Sequence, residues 1–316
     1  MHLDLLVALA GFIVGTVVGL TGMGGGALMT PILVLFFNIK PLAAVSSDLV
    51  AAVVMKPVGG TVHLRRGTVD IRLVKLLCIG SVPSAFAGVL VLQALGNSAD
   101  LEDRIKLVLG AALLLAAAGI VAKTFVQRAR SDQRVEPIDL KSMPVRVWPT
   151  VAVGALGGLV VGMTSVGSGS IMIVLLLLLY PRLTAAQLVG TDLVQAVPLV
   201  ASAALGHLLF GDVELALTGS LLLGSLPGVY LGARVSAKAP DHLIRPVLVV
   251  VLVLSALKLL GASDVVLGVV LGAAVIAGVV AVVRRRSSRV DEVVGRHREV
   301  VEQPALELER QLGVDH

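Results

Sequence analysis

The feature that most constrains this chain is a succession of long apolar stretches separated by short polar turns. They run over about residues 5–22, 26–37, 42–64, 69–95 and 105–125. After a polar gap they continue over 148–165, 171–180, 188–210, 213–235, 244–260 and 265–283. A helix that crosses a bilayer needs about 20 apolar residues, and most of these stretches supply them. Only 26–37 and 171–180 are short. With 56% hydrophobic residues, 15% charged residues and a mean hydropathy of +0.96, a soluble fold would leave far too much apolar surface in water. The expected fold class is therefore all-α, a polytopic membrane protein. The first stretch lacks a basic leader and a cleavage pattern, so it reads as a retained helix. The lone cysteine, Cys78, excludes an intrachain disulfide and a Cys-rich metal site. A net charge of +5 fits basic loops on the cytoplasmic side and gives no reason to invoke nucleic acid. Trp148 stands where a helix is expected to enter the bilayer.

The polar gap divides the chain into related halves. Asp48, His63, Gly67, Gly80, Pro83 and Gly88 match Asp192, His207, Gly211, Gly224, Pro227 and Gly232, each pair 144 residues apart. Gly15, Gly19, Gly24 and Gly26 match Gly158, Gly162, Gly167 and Gly169 at 143. A constant offset over so many polar, Gly and Pro positions indicates an internal duplication. The expected organisation is a first transmembrane repeat over 1–125, a cytoplasmic connector over 126–147 and a second repeat over 148–261. An extra C-terminal transmembrane helix over 262–283 and a cytoplasmic tail over 284–316 complete it.

Lys and Arg in short loops set the sidedness. The turn with Arg65, Arg66, Arg72 and Lys75 reads as cytoplasmic, and the acidic stretch 93–103 as external. The connector with Arg128 and Arg130 is inside, and 210–214, which lacks Lys and Arg, is outside. Arg234, Lys238, Arg245 and the Arg284-Arg285-Arg286 tail are again inside. Five segments lie between equivalent positions of the repeats. An odd number inverts orientation, so the repeats are expected to be inverted, as in alternating-access secondary transporters.

Two breaks interrupt the apolar pattern, at Gly22-Met23-Gly24-Gly25-Gly26 and at Ser165-Val166-Gly167-Ser168-Gly169-Ser170. Consecutive glycines are poor helix formers, and a break at membrane depth must line protein or a cavity. Each break exposes the N-terminus of the next half-helix, whose free N–H groups and dipole suit an anion. The expected binding residues are Gly22, Met23, Gly24, Gly25 and Gly26 with Ser165, Gly167, Ser168, Gly169 and Ser170. Gly11, Gly15, Gly19, Gly154, Gly158 and Gly162 fit a simpler role, the close packing of helices. The sequence leaves open whether the segments flanking each break cross fully or form re-entrant half-helices.

Charged residues in such segments are expensive and often functional. Asp48 and Asp192 allow two readings, a helix N-cap or pairing role and a substrate or proton role. Lys56, eight residues after Asp48, can pair with it or supply positive charge to an anion. Gln195 is a further polar candidate in the matching helix, as is Ser202. Asp48, Lys56, Asp192 and Gln195 are thus expected to serve gating or charge coupling. His63 and His207 fall at helix ends on opposite sides, too far apart for one metal site, and read as interfacial histidines. There is no G-x-x-x-x-G-K-[ST] for ATP, and no nucleophile–base arrangement to suggest an enzyme.

The glycine break followed by Pro31, Ser47-Asp48-Leu49, His63…Gly67 and Gly80…Pro83…Gly88, all duplicated, resemble the sulfite exporter TauE/SafE family of bacterial and archaeal membrane proteins. The resemblance covers about residues 5–260. It implies a multi-pass plasma-membrane protein that exports small sulfur-containing anions such as sulfite or organosulfonates, without a cofactor. Ser168 and Ser170 stand where the first repeat has Gly25 and Ala27, which leaves the choice of anion open. The expected partners are a small anion, protons as a coupling ion and the lipid bilayer; a homo-oligomer is compatible with the pattern. Competing readings are a passive anion channel of the same fold and a membrane-embedded partner without transport activity.

Overall fold

A computed structural model describes residues 4–21, 25–94, 100–131, 143–235 and 241–276. The chain forms α1 (Leu5–Thr21), α2 (Gly26–Phe36), α3 (Pro41–Arg65), α4 (Ile71–Ala94) and α5 (Asp100–Ser131). It continues with α6 (Val147–Thr164), α7 (Ile171–Leu179), α8 (Ala185–Phe210), α9 (Leu215–Val235) and α10 (Asp241–Leu259). Six of the described helices are long and apolar enough to cross a membrane: α3, α4, α5, α6, α8 and α9. The all-helical, multi-pass reading holds. Residues 263–316 make a separate unit. Its described part is one apolar helix, Asp264–Ile276; residues 277–316, with the whole expected tail and the end of the expected extra helix, lie outside the described residues.

Large apolar side chains face outward along the helices, among them Leu9, Ile13, Leu115, Leu156 and Leu223. That exterior suits hydrocarbon and is unsuited to water. Trp148 is 82% exposed at the start of α6. Inside, two apolar clusters fill the bundle. One joins α1, α2, α5, α9 and α10, and the other joins α4, α6, α7 and α8, with α3 contributing to both.

Helices of the two halves interlock: α1 packs on α9, α4 on α6, α3 on α8 and α5 on α10. Glycines make these crossings possible. A Cβ on Gly15 would stand 2.6 Å from the Ser225 carbonyl oxygen, and one on Gly158 would overlap Ser81. Gly11 lies against Leu221 and Gly154 against Leu77 in the same way, and Gly162 lies against Ala85. The close-packing role expected for these five residues is the one they have.

The helix starts differ from one expectation. Asp48 and Asp192 cap nothing. Helix α3 begins at Pro41, favoured at a first helical position, and α8 is capped by Thr184 in a reciprocal box with Gln187. Both aspartates therefore lie about two turns inside their helices, each 1% exposed.

Helix ends are tied across the halves. The Glu214 amide donates to Ser47 Oγ (3.3 Å) and the Asp70 amide to Thr191 Oγ1 (3.2 Å). His207 is not interfacial but fully buried. Its Nε2 lies 2.9 Å from the Gly162 carbonyl and its Nδ1 2.8 Å from Ser46 Oγ. A carbonyl only accepts, so Nε2 carries the hydrogen and Nδ1 of the neutral ring accepts from Ser46. His63 instead meets Thr68 Oγ1 at 2.9 Å, at a half-buried site. His207→Ala is expected to lower stability by about 1–3 kcal/mol through the polar groups it strands. His63→Ala should cost less than about 1 kcal/mol. Thermal melts of the purified variants check this, and equal losses would contradict it.

Candidate functional site

The second break is described throughout. Helix α6 ends at Ser165, whose backbone is left-handed (φ 59°) and whose amide bonds the Val161 carbonyl at 2.7 Å. The Thr164 hydroxyl takes the Val166 amide at 3.1 Å. Gly167 (φ 127°) and Gly169 (φ 88°) then reverse the chain in conformations that L side chains rarely adopt. Helix α7 starts at Ile171. It has nine residues, about 14 Å, against a hydrocarbon thickness of about 30 Å. After α7 the Tyr180 hydroxyl accepts from the Arg146 amide (2.9 Å) and bonds Thr150 Oγ1. The end of α7 thus returns to the start of α6, and the two form a hairpin with the break at its tip.

Of the first break, Gly22, Met23 and Gly24 lie outside the described residues. Gly25 is the N-cap of α2, which begins at Gly26 and has 11 residues, about 16 Å. The two breaks meet. A Cβ on Gly26 would overlap the Ser165 carbonyl oxygen and stand 2.7 Å from its carbon. Gly25 has more room, with Met55 Cε and Val18 Cγ2 each at 3.8 Å from such a Cβ.

Charged residues converge on this junction. Asp48 Oδ2 accepts from Ser165 Oγ at 2.7 Å and from Thr30 Oγ1 at 3.2 Å. The Lys56 ammonium donates to Ser168 Oγ, and it lies within electrostatic reach of both Asp192 and Asp48. Helix α3 crosses α8 just beyond, where Gly59 and Gly60 face Leu193 and Val194. All of these polar side chains are buried, Lys56 at 8% exposure being the most open of them. The Lys56 amine therefore does not snorkel to a membrane surface, and its hydrogen bond goes to the second break instead of to Asp48.

Gln195 points elsewhere: its Nε2 donates to Ser81 Oγ on α4 at 2.8 Å. The Ser170 backbone lies against Gly119 of α5. Among the described residues, Gln195 Oε1 and Ser170 Oγ are buried without a hydrogen-bond partner. Ser202 hands its hydroxyl to the Val82 carbonyl at 2.7 Å and is structural. No three His, Cys, Asp or Glu side chains come together for a metal among the described residues.

Thr30 and Ser81 were not foreseen. Thr30 is the one hydroxyl in the apolar stretch 26–37, four residues after Gly26 and hence on its helix face. Ser81 has Ser225 as its match 144 residues on. Both signals were present in the sequence.

A buried ammonium, hydroxyl donors and two half-helix starts at one junction suit the holding of an anion and offer no bond-breaking machinery. The sulfite exporter TauE/SafE family matches residues 7–259. The chain belongs to that family. Membership makes it a multi-pass membrane transporter and not an enzyme. The probable membrane transporter protein YjnA of Bacillus subtilis (strain 168) is 36% identical over 255 residues, 80% of this chain and 98% of the relative. The probable membrane transporter proteins YunE (27%, 82% of this chain and 98% of the relative) and YdhB (23%, 76% and 94%) of the same organism are also similar. No solved structure matches. For this TauE/SafE chain, the family and the six helices of membrane-crossing length agree.

Proposed function

We propose that the chain is a secondary transporter that exports small sulfur-containing anions such as sulfite or organosulfonates across the plasma membrane. The observation that carries this reading is the Lys56–Ser168 contact at the point where the two breaks meet. The Lys56 ammonium has three donors and its contact with Ser168 uses one, so donors remain for an oxyanion. In this reading the anion takes the Lys56 ammonium and the Ser168 hydroxyl. It also takes amides of the first turns of α2 and α7 other than those of Leu28 and Met172, which are bonded to the Gly25 and Gly167 carbonyls.

The halves are read as inverted repeats that rock about this site. The helix crossings support that. The pair α1 and α9 is the counterpart of α6 and α4, and their contacts obey the same offsets: Gly11 meets Leu221 as Gly154 meets Leu77, and Gly15 meets Ser225 as Gly158 meets Ser81. The bonds of Ser47 to Glu214 and of Thr191 to Asp70 repeat likewise. In this reading the connector and the tail are cytoplasmic, and the basic residues of the loops support it.

Counterflow in proteoliposomes tests the carrier reading. Unlabelled sulfite or thiosulfate inside the vesicles is expected to accelerate entry of the labelled anion, with saturation. Linear flux without trans-stimulation would mean a channel and would overturn the proposal.

A further inference from the structure

The two ends at which α3 and α8 meet are unequally fastened. They are counterparts: Ser46, Ser47, Gly67 and Asp70 match Gly190, Thr191, Gly211 and Glu214, each pair 144 residues apart. The Glu214 amide bonds Ser47 as the Asp70 amide bonds Thr191. Beyond that shared bond the ends differ. Where α8 finishes, Ser46 Oγ donates to His207 Nδ1 at 2.8 Å and accepts from the Asp212 amide at 3.3 Å. The other ring nitrogen of His207 donates to the Gly162 carbonyl of α6. Ser46, Ser47 and His207 are all fully buried. The turn closes onto them: a Cβ on Gly211 would stand 2.7 Å from Ser46 Oγ and 2.8 Å from His207 Nδ1. Where α3 finishes, Gly190 takes the place of Ser46 and offers no hydroxyl. His63 is half-buried and bonds Thr68 of its own turn. A Cβ on Gly67 would meet nothing within 4 Å among the described residues.

Resting on the transporter reading, we propose that His207 and Ser46 form a latch that keeps the end beside residues 210–214 shut, so that the junction of the breaks opens more readily at the opposite end, beside His63. Parting α3 from the turn after α8 breaks the bonds of Ser46 to His207 and to Asp212 along with that of Ser47. Parting α8 from the turn after α3 breaks the matching bond of Thr191, with no counterpart of the Ser46 pair to lose. Stripping buried polar groups of their partners costs enough to shift a two-state equilibrium by about 5-fold to 150-fold.

The latch is joined to the site by the chain itself. Ser46 and Ser47 directly precede Asp48, which holds Thr30 of α2 and Ser165 of the second break. A movement of this part of α3 away from the turn after α8 therefore moves a residue that touches both breaks. The stretch 210–214 lacks Lys and Arg and reads as external. A latched outer end favours loading of the site from the cytoplasm, the direction that export requires.

Distances between spin labels, measured on the full chain in lipid nanodiscs, test the latch without any substrate. In a Cys78→Ala background, Lys40→Cys with Glu214→Cys reports the α8 end, and Arg66→Cys with Arg182→Cys reports the α3 end; all four positions are exposed. His207→Ala and Ser46→Ala are each expected to enlarge a longer-distance population of the 40–214 pair by about 5-fold to 150-fold. The 66–182 pair should gain no such population. His207→Gln, whose amide can donate to Gly162 and accept from Ser46, should keep the wild-type distribution, and His63→Ala should leave the 40–214 pair unchanged. A merely structural role for His207 would loosen both ends alike. Ser46→Ala carries the test if His207→Ala does not fold. Unchanged 40–214 distances in these two variants, or equal lengthening at both ends, would overturn the latch and leave the transporter standing. Absence of anion counterflow in the wild type would overturn the transporter reading and the latch with it.

Discussion

Lys56→Gln is expected to reduce transport of sulfur oxyanions by about 30-fold to 1,000-fold, the loss that follows from truncating one partner of a buried, hydrogen-bonded charge pair. Glutamine is the informative replacement. It is nearly as long as lysine and its amide can still donate to Ser168, so the helix-break contact survives while the charge is removed. The variant also leaves Asp48 and Asp192 without their nearby cation, so some loss of stability is expected. Protein yield and melting temperature are therefore measured beside the flux. A folded Lys56→Gln protein with wild-type flux would remove Lys56 from the site. The position is asymmetric, because Val200 stands at the matching place in the second half. Among the described residues no second Lys or Arg is buried at the junction to take over.

Gly26→Ala is expected to be the most damaging of the glycine substitutions near the breaks, with Gly25→Ala its control. Inside a helix, propensity alone favours alanine over glycine by about 1 kcal/mol, whereas at the N-cap position of Gly25 it does not. Sterics reverse this at Gly26, where the added methyl would overlap the Ser165 backbone. Backbone cannot rotate aside as a side chain can, so α2 must withdraw from the second break. Overpacking of this kind costs about 1–3 kcal/mol and occasionally more. It also shifts Thr30 and Ser165, which hold Asp48, and transport should fall with the stability. At Gly25 the methyl would meet only Met55 and Val18 at ordinary contact distance, so Gly25→Ala should melt near the wild-type temperature. Equal melting temperatures for the two variants would contradict the apposition of the breaks.

Much of this architecture is legible in the sequence because its signals are local. Apolar length sets the helices, and the runs at Gly24-Gly25-Gly26 and Gly167-Ser168-Gly169 mark where they stop. A constant offset pairs Gly15 with Gly158 without reference to any coordinate. What the sequence conceals is the partner of each polar group. Asp48 and Lys56 share a helix face, but eight residues of helix rise about 12 Å, which is too far for a direct ion pair. Lys56 turns to Ser168, 112 residues away, and Asp48 to Thr30 and Ser165. Such contacts depend on how helices cross, which periodicity does not encode. The capping reading of Asp48 and Asp192 failed for a different reason. Polar residues beside them imitate a helix start, while the true cap of α8 was visible as Thr184-Ala185-Ala186-Gln187, the pattern of a capping box.

The burial of His207 was hidden for the same reason as the Lys56 contact. Its sequence position, in the last turn of α8, is that of an interfacial histidine. Only the approach of Ser46 from α3 and of Gly162 from α6 encloses it. The matching His63 meets Gly190 where His207 meets Ser46. A glycine offers no hydroxyl, so His63 bonds the nearby Thr68 of the following turn instead. One substitution between the halves thus separates a buried tie from a local one.

The central claim is that the junction of the two breaks holds the anion through Lys56. Thermal unfolding of the purified protein against rising sulfite, thiosulfate, sulfoacetate and taurine tests it most directly. A ligand at 100 times its Kd stabilises the folded state by about 2.7 kcal/mol. At least one of these compounds is expected to raise the wild-type melting temperature in a saturable way and to leave that of Lys56→Gln unmoved. Saturable stabilisation of equal size in both proteins would contradict the claim.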